Sequence, residues 1–342
     1  MRQYKKLILR FVGGLLFLCI FASLTLTVKA DDSYSNAADG SQISPTRYDF
    51  NASRGDTKIL KLNITNVTAS DLIYTSSVSD FSAKDESGSP KISIDDSLPA
   101  TSSIRSWISV SSTFKLGSHQ SIQLDATVTI PDNAEPGGHY GVISFSGSAP
   151  EVSGSAVGLS ASTGVLVLIT VDGDIKENAS MAEFFSSQDG KQSWFFENGP
   201  VTFVTRVKND GNVHIKPTGT IELRDMFGGL TATMNVNKAD SQEKISNVLP
   251  NSIRRFESTY DKKWMFGRYT ANLALSYGSK GQAIVNTISF WVIPYKLIIA
   301  GLFILITIIF ILTRIIKVYN KRIIERHEKA HKNKHDQEKN GS

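Results

Sequence analysis

The stretch that most constrains this chain runs from residue 297 to 313, LIIAGLFILITIIFILT, seventeen residues without a charge. A helix needs roughly 20 apolar residues, and no fewer than about 17, to cross the hydrocarbon core of a bilayer. Ile293, Pro294 and Tyr295 lengthen the apolar run upstream. Lys296 interrupts it, with a stem long enough to reach back to the interface. Trp291 and Tyr295 stand where interfacial aromatics belong. A buried core helix rarely runs this far without a polar position. The pattern predicts a single transmembrane helix over 294–313 and a basic tail over 314–342. Arg314, Lys317, Lys321 and Arg322 follow the apolar run at once, which orients that tail into the cytoplasm and residues 31–293 outward.

The N-terminus agrees with this orientation. Arg2, Lys5, Lys6 and Arg10 precede an apolar run over 11–28, and Val28-Lys29-Ala30 reads as a small-x-small cleavage site. Residues 1–30 are therefore expected to be a signal peptide. The lone cysteine, Cys19, lies inside it, so the mature chain holds no disulfide and no thiolate metal site. The net charge of +5 is misleading as an average. Residues 31–313 carry 23 basic and 28 acidic groups, so the outer part is mildly acidic, and nucleic acid is not an expected partner.

The outer part reads as β structure. Leu60, Leu62 and Ile64 alternate with polar residues in a strand over 57–65, and Ile122, Leu124, Ala126, Val128 and Ile130 alternate without a miss. Further strands are expected at 43–50, 71–78, 142–145 and 165–171, with a long Ser-, Asp-, Gly- and Pro-rich loop over 84–100. The second half repeats the plan. A strand over 201–207 ends in Asn209-Asp210-Gly211-Asn212, as the earlier strand ended at Asn66, and another alternates from Tyr269 to Tyr277. Strands are also expected at 219–223, 230–236, 252–256 and 283–292. Gly138-His139-Tyr140 and Gly267-Arg268-Tyr269 recur before late strands, which makes Tyr140 and Tyr269 candidates for the tyrosine corner of Ig-like sandwiches. The fold class is therefore all-β: two tandem Ig-like β-sandwich domains plus a single C-terminal transmembrane helix. The expected division is a flexible leader over 31–42, sandwich 1 over 43–174 and sandwich 2 over 175–293.

Motifs for chemistry are sparse. His119, His139 and His214 stand in no H-E-x-x-H, G-x-S-x-G or S-x-x-K context. Asp172-Gly173-Asp174 lacks the remaining ligands and closing Glu of a calcium loop. His327, His331 and His335 recur every four residues in the tail and read as a solvated face. Arg54-Gly55-Asp56 is the tripeptide that integrins read, but its glycine serves a turn between strands, and an integrin is not an expected partner. No cofactor, no metal and no catalysis are expected. A small-residue loop over 147–164, marked by Gly147, Gly154, Gly158 and Gly164, is the candidate binding loop. The aromatics of 184–185 and 194–196 are expected to fill the core between the two domains.

The segments Ile43-Ser44-Pro45, Gly55-Asp56-Thr57, 61–66 and Pro136-Gly137-Gly138-His139-Tyr140-Gly141 stand in the first half. Residues 209–214, Met226-Phe227-Gly228 and 266–270 stand in the second. Together with the layout of signal peptide, tandem domains, membrane helix and basic tail, this pattern resembles the bacterial WxL-interacting cell-surface proteins over roughly residues 41–292. The resemblance implies a peptidoglycan-associated membrane-distal domain and a partner-binding second domain. Trp107, Trp194, Trp264 and Trp291 are not followed two residues on by Leu, as fits the interacting side of that pairing. The expected function is a single-pass Gram-positive surface protein that holds cell-wall polymer or another surface protein. A scaffold for an envelope secretion or sensory complex and a wall-modifying enzyme with a spatially assembled site are the alternatives.

Overall fold

Pro45 divides what reads in sequence as one strand. It has no N–H to give a ladder, the Ser44–Pro45 peptide is cis, and the chain crosses there from one sheet to another. In this computed structural model, which describes residues 40–93, 99–148, 161–238 and 245–339, β1 (Ser41–Ser44) and β2 (Arg47–Ala52) belong to different sheets. The first strand therefore starts inside the segment expected to be leader. β3 (Thr57–Asn66) follows a turn at Gly55, whose φ of +80° suits glycine. Next come β4 (Leu72–Ala83), β5 (Pro90–Ser93), β6 (Ile108–Ser109), β7 (Thr113–Leu116), β8 (Ser121–Thr129), β9 (Gly137–Ser148) and β10 (Ala161–Val171).

One sheet of the first sandwich is ordered β1-β3-β8-β6; the other is ordered β2-β10-β9-β4-β5, with β7 also on β4. The alternating residues of β3 and β8 turn Leu60, Leu62, Ile64, Ala126 and Val128 inward, where they meet Tyr74, Trp107, Phe145 and Ile169. Each large side chain buried in this way contributes about 1.5–3 kcal/mol.

The second sandwich holds β11 (Ala179–Gln188), β12 (Lys191–Gln192), β13 (Phe195–Phe196), β14 (Val201–Asn209), β15 (Thr218–Arg224), β16 (Leu230–Val236), β17 (Ile253–Tyr260), β18 (Gly267–Tyr277) and β19 (Gln282–Val292). Its sheets run β12-β11-β14-β17 and β13-β19-β18-β15-β16, closing on a separate core around Phe203, Ile221, Leu273 and Phe290. Phe184 and Phe196 belong to that core, so they do not fill a seam between the domains as expected.

The repeat read in the sequence has a physical basis. Asn66 and Asn209 end β3 and β14, and both are fully buried. Each amide donates to the carbonyl four residues on, Ser70 or Val213, at 2.7 Å. Each side-chain oxygen accepts the N–H two residues on, from Thr68 at 3.0 Å or Gly211 at 2.9 Å. A buried amide with every bond made is what lets the chain reverse inside the sandwich.

Two residues after β19, α1 (Tyr295–Lys339) begins. Its segment Tyr295–Glu325 is long and apolar enough to cross a membrane, and none of its most apolar stretch is buried against the sandwiches.

Candidate functional site

The β2-β10-β9-β4 sheet turns a second face away from its own core. Leu168 stands between Asp49 and Tyr140, and Leu166 between Arg47 and Val142, which neighbours Ser79 on its other side. Leu168, Val142 and Phe81 are buried although none belongs to the first core. The second sandwich covers them with residues 211–216 and 245–254, and three polar contacts pin the cover.

The first contact is a chain of side chains. Asp49 of β2 accepts from His214 Nε2 at 3.1 Å and pairs with Lys216 Nζ at 2.7 Å. Tyr140 Oη meets His214 Nδ1 at 3.3 Å. Burial would raise the Asp49 carboxyl, but the hydrogen bonds and charges of His214 and Lys216 outweigh it and hold the group well below the usual carboxylate range. Burial, then the Asp49 charge, push the Tyr140 phenol up, so it stays protonated. The chain ties β2 and β9 of the first sandwich to residues 214 and 216 of the second. It acts as a hydrogen-bonded lock.

The second contact corrects the sequence reading of 84–100. That stretch is not one long loop. β4 and β5 form a hairpin whose tip, 84–89, reaches the second sandwich. Glu86 takes both Arg206 Nε, at 2.8 Å, and Arg206 Nη2, while its carbonyl accepts the N–H of Arg255 at 2.8 Å on the free edge of β17. Gly88, at φ +81°, lies under the Arg254 guanidinium; a Cβ there would come within 2.2 Å of Arg254 Cζ. The third contact is main chain: Gly138 N–H donates to Asn212 O at 2.8 Å.

Between these contacts lies a cleft lined by two arginines, one from each sandwich. Arg47 donates to Ile245 O at 3.2 Å and Arg254 to Asn247 O at 2.8 Å. Neither has a carboxylate partner among the described residues. Burial, then the charge of Arg47, push the Arg254 guanidinium below its ordinary range. Asn247 is 6% exposed, and both its side-chain nitrogen and its oxygen lack a partner among the described residues. These residues line a cavity of about 60 Å³ with Leu168, Leu249 and Ile253. It adjoins a wider hollow of about 770 Å³, floored by Val142, Ser144, Ser162 and Gly164. Asp85 also lines the smaller cavity. The fork of a guanidinium matches the paired oxygens of a carboxylate or phosphate.

Neither arginine was picked out from the sequence. Arg47 lies between Thr46 and Tyr48 and Arg254 between Ile253 and Arg255, each in an ordinary strand, and no local signal joins β2 to β17. The candidates that the sequence offers fall elsewhere. Gly147 and Gly164 are not loop residues: they lie within β9 and β10, paired to Ala161 and Ser144. Gly154 and Gly158 lie outside the described residues. Gly164 alone touches the site, on the floor of the wider hollow.

Tyr140 and Tyr269 are not counterparts. β9 and β18 each open on a positive-φ glycine, Gly137 at +129° and Gly267 at +100°, so the third residues, His139 and Tyr269, correspond. Tyr140 is one residue out of frame and faces the other way. Its hydroxyl meets His214 instead of local backbone. Tyr269 Oη accepts the Phe266 N–H at 3.4 Å. His139 packs on the Trp107 ring at 4.5 Å, its two ring nitrogens 2.8 Å from the carbonyls of Ser102 and Glu135. Arg54 and Asp56 are engaged at home, Arg54 Nε with Ala134 O at 2.8 Å and Asp56 with the Ser53 N–H at 2.7 Å. Asp172 accepts from Ser53 Oγ and Asp174 pairs with Lys176, as turn residues do. The side chains of His327, His331 and His335 lie outside the described residues. Residues 1–39, with the expected signal peptide, do so entirely.

No family model matches this chain, and no curated protein is similar to it in sequence. Among solved structures it is similar to the class 5 fimbriae chaperone CfaA, at 10% identity and a TM-score of 0.36 over 72% of this chain and 98% of that one. It is similar to the E. coli chaperone DraB at 16% identity and a TM-score of 0.32, over 74% of this chain and 96% of that one. The Salmonella enterica SafA pilin in complex with the SafB chaperone matches at 14% identity and a TM-score of 0.34, with the same coverage.

Proposed function

We propose that this chain is a membrane-tethered, non-catalytic binding protein of the bacterial cell surface, of the WxL-interacting kind. It holds an anionic group in the cleft between its two sandwiches. The helix Tyr295–Glu325 anchors it, and the basic residues from Arg314 onward orient the tail inward and the sandwiches outward. The observation that carries the reading is the pair Arg47 and Arg254, each half-buried and without a carboxylate partner among the described residues, in an outer part that is acidic overall.

The partner that fits is a polymer bearing carboxylates or phosphates, as cell-wall polymers do. An acidic segment of another surface protein presents the same chemistry. The test compares the full chain with the double variant Arg47→Gln, Arg254→Gln for binding to isolated cell wall and to surface-protein extract. Each charge-assisted hydrogen bond contributes about 1.5–3 kcal/mol, so the double variant should bind its partner at least about 10-fold more weakly. Loss confined to the wall arm identifies wall polymer, and loss confined to the extract arm identifies protein. Equal binding of both chains in both arms refutes the cleft as the site.

A further inference from the structure

The other end of the second sandwich is aromatic and uncovered. Phe227 is 89% exposed, Trp194 69%, Trp264 65% and Phe266 60%. Large apolar groups gathered this way mark a surface that something apolar meets. Pairing places them together. Phe195 stands beside Trp291, Phe196 beside Val292, Gly267 opposite Val292 and Arg224 opposite Thr270. The loops carrying Trp194, Phe227, Trp264 and Phe266 therefore all leave the sheets at the end where β19 stops. Met226 reaches across from one loop to Gly267 at the end of another.

The same end emits the membrane-length helix. Ile293 N–H donates to Phe196 O at 2.9 Å, Tyr295 lies 6.3 Å from the Phe195 ring, and Lys296 pairs with Glu197 at 2.6 Å. Only Ile293 and Pro294 separate strand from helix, a span of no more than about 10 Å. A loop tip this close to a helix that enters a bilayer lies at the level of the lipid headgroups. Trp and Phe are the side chains that partition there. Lys262 and Lys263, next to Trp264, supply positive charge for anionic lipid.

We propose that this end of the second sandwich is a membrane-seating surface. Phe227, Trp264, Phe266 and Trp194 dip into the outer leaflet around the helix, so that the sandwiches are held at a set angle to the membrane. This rests on the reading of α1 as a membrane span, and the test separates the two. The full chain in a Cys19→Ser background is reconstituted in bilayers of phosphatidylcholine and phosphatidylglycerol. A nitroxide is placed singly at Phe227→Cys, at Ile306→Cys within the helix and at Ile59→Cys on the first sandwich. All three side chains are exposed, so labelling leaves the cores intact. Collision with lipid-soluble oxygen and with a water-soluble nickel chelate is then compared. The expected result is that the label at 227 is several-fold less accessible to nickel than the label at 59, and oxygen-accessible like that at 306. If 227 matches 59 while 306 reads as lipid, the seat is wrong and the span stands. If 306 also reads as water, both fail. A label at 227 shielded from both reagents means that protein covers this end, which equally overturns the proposal.

Discussion

Asp49 shows how one residue can work against its own desolvation. It is partly buried at the seam of the two sandwiches, a position that favours the neutral acid, yet His214 and Lys216 keep it ionised. A carboxyl whose folded pKa is lowered stabilises the fold above its unfolded pKa, about 3.9. That contribution is lost as pH falls through the lowered value. Asp49→Asn should therefore cost roughly 1–3 kcal/mol at neutral pH, measured by denaturant unfolding. The gap from wild type should narrow as the pH is taken well below about 4. A gap independent of pH would mean that the carboxylate charge is not what matters. Asp49 gave no signal in the sequence, since a single Asp in a strand reads as a solvent-facing position. Asn66 and Asn209 were legible, because the bonds they make are to residues two and four positions on.

At the scale of elements, the β4–β5 hairpin is what the sequence concealed. Its tip is rich in Ser, Asp and Gly, which is loop chemistry, and its partners Arg206 and Arg255 lie far along the chain. The Glu86 side chain is 37% exposed, so its ion pair with Arg206 should contribute no more than about 1 kcal/mol to stability. Its effect is on geometry. Glu86→Ala should leave the unfolding transition nearly unchanged while broadening the distance distribution between spin labels at Lys58 and Lys280, one on each sandwich. An equally narrow distribution would show that the Asp49 lock and the Gly138–Asn212 bond suffice. The frame of Tyr140 and the place of the 194–196 aromatics escape the sequence for related reasons. A one-residue change of frame reverses which face a side chain serves, and two-residue strands paired in parallel leave no periodicity to read.

For the whole molecule, the two cores contain no residue of α1. A chain ending at residue 293 and beginning at 40 should therefore stay soluble, give a β-type circular dichroism spectrum and unfold cooperatively. The full chain should require detergent or lipid. A molten 40–293 fragment would show that the helix or its membrane is part of the fold. By itself the sequence determined the all-β class, the doubled plan and the membrane-length helix, because each is written in local periodicity: alternation over nine to eleven residues, or an unbroken apolar run. Only the tertiary structure decided that the outward face of one sheet would be covered by the loops of the next sandwich. It also brought Arg47 and Arg254 to one cleft from opposite ends of the folded chain. Periodicity tells which side chains leave water, but which surface receives them is set by long-range packing that no short window of residues contains.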